Sequence, residues 1–454
     1  MSTRRSQGLG ALGTAFLLTT ITTGMVLLGS GCRPADDRIG ADGRRIVRVL
    51  MLVISTQQVD FYRWAEETFE AANPDVDVVI EQFPGSSLKD FEIKLRLRFG
   101  SGRSPDVFVA SEVVVGEYAR LGLLSPAPAE IERMVQENAL NDMLRSAPYY
   151  ADTCYGIAGD AAWQALYYNK AMFREAGLDP DRPPATWEEL LDYADRLTVR
   201  DEGGRVMRAG FSLRKTGFKP GTAEKWYTFL ASAGGQPFSS DGTRVMLNTE
   251  EGREAIGFYE AVLFDRRIDA VGHDGDQQGF GQGRVAMFLR EMHVIRWLEV
   301  NYPDIEFGVA PVPARDTSLS FGGSYVWSVS RDSPHQEAAW DWITFLMEDE
   351  AYTRYISIGG ILPVMKSVAS RPEFSEDPHM SVFLEQGVAA PYKFPGYARA
   401  CDLLGAYIER FCYGRLGAAE TLERAEKDIA AVLAPNRTNG PPAGSDESTT
   451  RYYE

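Results

Sequence analysis

Apolar positions along this chain alternate between two periods. Ile46 to Ile54 is a nearly continuous apolar run of strand length. Asp60 to Ala72 then places Phe61, Trp64, Phe69 and Ala72 near helical spacing, and Asn73-Pro74 stops it. Val76 to Ile80 reads as a strand, Ser86 to Phe99 as an amphipathic helix and Pro105 to Ala110 as a third strand. The alternation returns with a strand over Gln164 to Tyr168 and a helix over Lys170 to Ala176. Thr186 opens another helix, where Glu189 completes a capping box and Trp187, Leu190, Leu191, Ala194 and Leu197 share one face. Helices are also predicted from Asn248 to Leu263 and from Ser333-Pro334-His335-Gln336 to Met347, the latter with proline at its first position. Strands alternating with helices predict an α/β fold with a mainly parallel sheet. Pro435 to Glu454 is polar and unpatterned, a disordered tail by expectation.

The beginning of the chain follows neither period. Arg4 and Arg5 precede an uncharged stretch from Ser6 to Cys32, apolar through its middle, as in an export signal. Its close, Leu28-Gly29-Ser30-Gly31-Cys32, resembles a bacterial lipoprotein signal over residues 1–32, in which the cysteine carries the lipid. Gly29 stands where that pattern places an aliphatic residue, and about 20 apolar residues also suffice for an uncleaved anchor. Either way the chain is expected outside the cytoplasm, facing the periplasm or the cell exterior, and the lipoprotein reading holds it to the membrane through a lipid on Cys32. Cys154, Cys401 and Cys412 remain. The last two fall in one predicted helix, about 16 Å apart by its rise and too far to bridge, which leaves Cys154 paired with one of them or, as expected, three buried free thiols.

Composition narrows the function. The 454 residues, 44% hydrophobic and 24% charged, leave room for two or three domains at about 150 residues each. With 47 basic against 64 acidic residues, the net charge of -17 lacks the footprint of a nucleic-acid binder. His273, His293, His335 and His379 are isolated, and Gly279-Phe280-Gly281-Gln282-Gly283 lacks the spacing of a phosphate loop. No metal, cofactor or catalytic residue is therefore expected.

Ordered segments then carry a resemblance. Phe69-Glu70-Ala71-Ala72-Asn73-Pro74-Asp75-Val76-Asp77-Val78, Ser104-Pro105-Asp106-Val107-Phe108 and Gly122-Leu123-Leu124 come first. Tyr155-Gly156-Ile157, Leu166-Tyr167-Tyr168-Asn169-Lys170, Ala176-Gly177-Leu178 and Pro184-Ala185-Thr186-Trp187-Glu188-Glu189-Leu190 follow. After them come Gly283-Arg284-Val285-Ala286-Met287, Gly308-Val309-Ala310-Pro311-Val312-Pro313, Gly322-Gly323-Ser324 and Gly360-Ile361-Leu362-Pro363. In this order, over about Ile46 to Leu433, the chain resembles family 1 extracellular solute-binding proteins, the maltose-binding-protein-like binding components of carbohydrate ABC importers. The resemblance implies a type II periplasmic-binding-protein-like fold: two α/β lobes, each a mainly parallel sheet flanked by helices, hinged at crossing segments. The pieces implied are 45–158 and 280–330 for the first lobe, with 159–279 and 331–434 for the second. It also implies a monomer that hands a carbohydrate to ABC permease subunits coupled to an ATPase.

A sugar offers apolar ring faces and a belt of hydroxyls, so its site wants aromatic platforms with fixed polar partners. Loops after parallel strands are the natural place for them. The candidates are Gln58, beside Thr56 and Gln57, after the first strand, and Ser111 and Glu112 after the third. Asp160 and Trp163 follow the Tyr-Gly-Ile turn, Glu291 follows Ala286-Met287, and Gly323, Ser324 and Tyr325 form a further set. Of Trp226 and Tyr227, one is expected to face the cleft while the other packs. Trp64, Trp187 and Trp342 sit on apolar stripes and read as core. The competing functions are an exported carbohydrate-active enzyme, for which two carboxylates about 5–10 Å apart suffice, and a same-fold protein for another solute or a sensor.

Overall fold

Three short parallel strands begin the fold. In this computed structural model, residues 38–434 are described apart from 54–55, 85–87, 218, 240–241, 274 and 395. Cys32 and the tail expected from Pro435 lie outside the described residues. Strand β1, Arg45–Val53, is flanked by β3, Val107–Ser111, and β2, Val76–Pro84, with Arg45 opposite Val76 and Val49 opposite Val107. Val47, Val49, Leu50 and Met51 are all buried, as a strand covered on both faces requires. Helices α1, Thr56–Ala72, and α2, Leu88–Gly100, make the crossovers, and α3, Glu112–Arg120, follows β3 directly.

Two long strands extend this sheet. β4, Ile157–Asn169, pairs antiparallel with β5, Met287–Glu291, and with β6, Phe307–Ala310. β7, Leu319–Val329, lies antiparallel between β4 and β3, and β8, Gly387–Ala389, joins it in parallel. The order is β6-β4-β7-β3-β1-β2, with β5 added on β4 and β8 on β7, eight strands in all. Parallel pairing thus holds for β2-β1-β3 and β7-β8, while the pairs around β4 run antiparallel, which corrects the mainly parallel expectation. The reason is geometric: a strand that crosses from one core to the other is matched by one that returns.

The strand expected over Gln164 to Tyr168 is only the far half of β4. Its near half carries Gly159 and Asp160, which break the apolar pattern. Gly159 is needed there because a Cβ would lie 1.8 Å from the indole nitrogen of Trp327.

Two apolar clusters fill the fold. The first joins β1 and β3 to Phe61, Tyr62 and Phe69 of α1. The second is built on α4, Trp187–Leu197, α5, Lys219–Ser232, and α6, Glu250–Glu260. β4 feeds both, sending Trp163, Ala165 and Tyr167 to the first and Leu166 and Tyr168 to the second. The segment 331–434, expected as one piece, is divided. Trp342 and Ile343 of α7, Gln336–Leu346, and Tyr352 and Ile356 of α8, Asp349–Gly359, enter the first cluster. Phe69 meets Trp342 edge-on at 5.3 Å there. Residues of α9, Tyr397–Cys412, and α10, Ala418–Leu433, enter the second. The segment 280–330 is split as well, with Phe280, Val285 and Phe288 in the first cluster and Met287, Leu289 and Phe321 in the second.

Local capping follows the sequence closely. Thr186 Oγ1 accepts from the Glu189 amide at 3.2 Å, and Glu189 Oε2 accepts from the Ala185 amide at 2.9 Å. Thr249, rather than the expected Asn248, caps α6, because the Asn248 side chain is taken by Arg253 at 3.1 Å. α7 starts at Gln336, two residues past Pro334. Cys154, Cys401 and Cys412 are buried and free, the last two both in α9. Among the described residues, no helix is long and apolar enough to cross a membrane, and no group of His, Cys, Asp and Glu could hold a metal.

Candidate functional site

Three neighbouring strands bring one polar row together. Ser111, the last residue of β3, is opposite Tyr325 of β7, and Tyr325 is opposite Asp160 of β4. Residues opposite one another in a sheet share a face, so the three side chains are neighbours. Tyr355 of α8 donates to Asp160 Oδ2 at 3.4 Å, while Asp160 Oδ1 is buried without a partner. Tyr355 itself packs on Phe61 at 5.1 Å and Tyr62 at 6.1 Å. Burial pushes the Asp160 carboxyl up to about 7, and the Tyr355 hydroxyl opposes that only weakly. The Tyr325 phenol is raised by burial and then by the negative charges of Asp160, Glu224, Glu92 and Glu291.

The next residues of β7 face the other way. Ser324 donates to Glu112 Oε2 at 2.6 Å, where Glu112 opens α3 with none of its surface exposed. Gly323 leaves room beside it, since a Cβ there would lie 3.9 Å from Glu112 Oε1 and 3.5 Å from Pro391. Burial raises the Glu112 carboxyl, and Lys393 and Ser324 resist the shift. Lys393 is held by the Ser146 and Ala147 carbonyls at 2.6 and 3.2 Å. Glu112 and Ser324 are therefore hidden from any ligand in this conformation and support β7 instead. Gln58, early in α1, is also buried, and the Thr56 and Gln57 side chains lie outside those described.

A second polar group forms where β5 ends. Glu291 accepts from Lys225 at 2.7 Å and is paired with Arg290 at 3.2 Å. Arg290 in turn reaches Gln277 at 2.7 Å and Asp276 at 3.3 Å. Burial alone would raise the Glu291 carboxyl, but Lys225, Arg290 and His293 outweigh it and hold it well below the usual carboxylate range. Burial pulls Lys225 down to about 8 against the pull of Glu291. Sequence reasoning missed Lys225, Arg290 and Tyr355. Lys225 did leave a signal, a lysine inside the stretch of that helix that is otherwise buried from Gly221 to Ser232 except at Glu224.

Three aromatic candidates are corrected. Trp163 is 1% exposed and its indole N–H is taken by the Phe383 carbonyl at 2.9 Å. Trp226 and Tyr227 both pack in the second cluster, so neither faces out. Both faces of α5 are covered, by β7 on one side and α9 on the other, which leaves no open side for either ring. A hollow of about 580 Å³ lies elsewhere, among Glu132, Arg133, Asp142, Arg145 and Tyr149, and holds none of the candidates. These groups are the better site, because they combine buried charge with an unpartnered acceptor.

Comparison with known proteins gives the family and the fold. The family model for bacterial extracellular solute-binding proteins matches residues 55–353. A two-lobed α/β binding protein is thus the class defined, and the chain belongs to the bacterial extracellular solute-binding protein family. The maltotriose-binding protein of Pyrococcus abyssi (strain GE5 / Orsay) is 24% identical over 74% of this chain and 70% of its own length. The sn-glycerol-3-phosphate-binding periplasmic protein of Escherichia coli (strain K12) is 24% identical over 66% of this chain and 70% of its own. Among solved structures, the cyclic alpha-maltosyl-1,6-maltose binding protein of Arthrobacter globiformis superposes with a TM-score of 0.75 at 25% identity, covering 87% of this chain and 100% of that one. These are binding proteins, and the enzyme alternative has no support among them.

Proposed function

We propose that this solute-binding protein captures a carbohydrate between its lobes and delivers it to the membrane permease of an ABC importer. The observation that carries the reading is the row Ser111, Tyr325 and Asp160, which sets an aromatic ring between hydroxyl and carboxyl partners, as a sugar requires. Glu291 with Lys225 and Arg290 supplies the facing group at the end of β5. The maltotriose-binding relative supports a sugar. Closure needs a ligand that contacts both groups at once, since only differential affinity shifts an open and closed equilibrium. The protein acts as a monomer, with Cys32 carrying the lipid anchor. Mass spectrometry of the membrane-extracted N-terminus tests the anchor, and an unmodified Cys32 would overturn it.

A thermal-shift screen of the purified protein against maltotriose, mannotriose, tagatose and sn-glycerol 3-phosphate tests the solute. A ligand that binds only the folded state adds about 2.7 kcal/mol of stability at a hundredfold excess over its dissociation constant. A selective rise with one sugar, recovered unchanged, is the expected result. A rise with sn-glycerol 3-phosphate alone would replace the sugar by a phosphorylated polyol, which Lys225 and Arg290 would suit.

A further inference from the structure

Arg214 is a cation with no directly paired carboxylate among the described residues. It follows a strand-like stretch that runs parallel to β5, with Ala209 bridged to Val285 and Ser212 to Phe288. Two residues past that bridge, Arg214 stands beyond the end of the strand at the level of Arg290, which is the end at which the Glu291 group sits. Its side chain is partly buried, yet among the described residues it has no hydrogen-bond or ion-pair partner. Arg290 nearby has three such partners, Glu291, Gln277 and Asp276.

The guanidinium is nonetheless held in place. It lies against α5 at Gly221, where a Cβ would come within 3.0 Å of Cζ and 3.1 Å of Nη1. One turn further along α5, Glu224 is partly buried, and its carboxylate has no hydrogen-bond partner either. The Arg214 charge reaches Glu224, but no nitrogen and oxygen of the pair approach within 4.0 Å. Glu224 also lies close enough to Tyr325 for its charge to act on the phenol. A donor fork and an acceptor therefore lie near one another beside the polar row without pairing directly.

We infer that Arg214 and Glu224 are a donor–acceptor pair for one hydroxyl of a neutral sugar. A hydroxyl fits both ends, accepting from the guanidinium and donating to the carboxylate. A phosphate or carboxylate fits only one, because Glu224 would repel it beside Glu291. The inference rests on the carbohydrate reading and narrows it to neutral, polyhydroxylated solutes. It also explains the glycine at 221, since any side chain there would push the fork aside.

Titration calorimetry with maltotriose, mannotriose, tagatose and sn-glycerol 3-phosphate tests it on the wild type and on Arg214→Gln, Arg214→Lys, Glu224→Gln and the double glutamine variant. The expected result is binding of at least one sugar, lost at least tenfold in each glutamine variant, with the double variant no weaker than the weaker single one. Arg214→Lys keeps the charge without the fork, is expected to lose at least threefold, and serves as the folded test if Arg214→Gln does not fold. Sugar affinity unchanged within twofold in the Arg214 and Glu224 variants would overturn the pair and leave the carbohydrate reading intact. Binding of sn-glycerol 3-phosphate alone, or of no probe, would overturn the carbohydrate reading and the pair with it.

Discussion

Asp160 of β4 and Glu291 of β5 are both carboxylates on strands of one sheet, and the fold treats them in opposite ways. Asp160 has one weak donor, the Tyr355 hydroxyl at 3.4 Å, among aromatic rings. Burial wins there, and its carboxyl is raised to about 7. Glu291 is as far from bulk water, but Lys225 lies at 2.7 Å and Arg290 at 3.2 Å, and its carboxyl is held low. Desolvation is common to both, so the difference is the counter-charge. Asp160 thus keeps an acceptor oxygen without a partner, whereas Glu291 is already neutralised.

Breaking the paired side has the largest expected effect. Glu291→Gln leaves Lys225 and Arg290 without their shared counter-charge in a desolvated place, and losing one partner of a buried pair costs about 3 kcal/mol. Urea denaturation at pH 7 measures it, and a loss below about 1 kcal/mol would mean that water reaches Lys225 freely. The sign with pH follows from the lowered carboxyl: its stabilisation is present above the unfolded value and is lost as pH falls through the folded one. The variant should therefore lose less than the wild type on acidification below pH 4.

Asp160→Asn sharpens the other side. A raised carboxyl contributes stability below its unfolded value, and that stability is lost as pH rises toward about 7. The amide cannot ionise, so the variant should be more stable than the wild type at pH 8 by about 2 kcal/mol, allowing for solvent at a partly exposed group, and nearly equal to it at pH 4. Denaturation at the two pH values decides this. A difference that does not grow with pH would show that Asp160 ionises without cost. Sugar affinity at pH 8 should fall about tenfold in the same variant, since the ionised acceptor is the one the ligand uses.

How much of this was readable in the chain depends on the kind of interaction. Apolar periodicity placed β1, α1 and α4 within a few residues, because buried stripes repeat locally. The near half of β4 was lost, since Gly159 and Asp160 answer to Trp327 and Tyr355, which lie far away in sequence. Asp160, Ser111 and Tyr325 could be named as candidates because each follows a turn or strand signal that is local in the sequence. Lys225 and Arg290 were not, because only the third dimension puts them on Glu291. Trp163, Trp226 and Tyr227 were misread for the same reason: an aromatic residue near a turn looks alike in sequence whether it faces a ligand or, as here, a core.

Glu112 lies between the two extremes and gives the smallest of these effects. Its carboxyl is fully buried, where Asp160 and Glu291 keep some exposure, with a direct donor in the Ser324 hydroxyl at 2.6 Å and the Lys393 charge acting without contact. Ser324→Ala removes that hydroxyl donor and leaves the carboxylate, whose Oε1 has no partner, with only the weaker help of the Ser324 backbone amide. The expected loss is about 1 to 2 kcal/mol. Burial already raises this carboxyl, so its contribution to stability is lost as pH rises, and removing the donor raises the carboxyl further. The variant should accordingly lose more at pH 8 than at pH 5. Adding Glu112→Gln, which cannot ionise, should remove the excess at pH 8. Equal losses at both pH values would mean that Lys393 alone sets the charge of Glu112, which would place Glu112 with Glu291, on the paired side of the comparison.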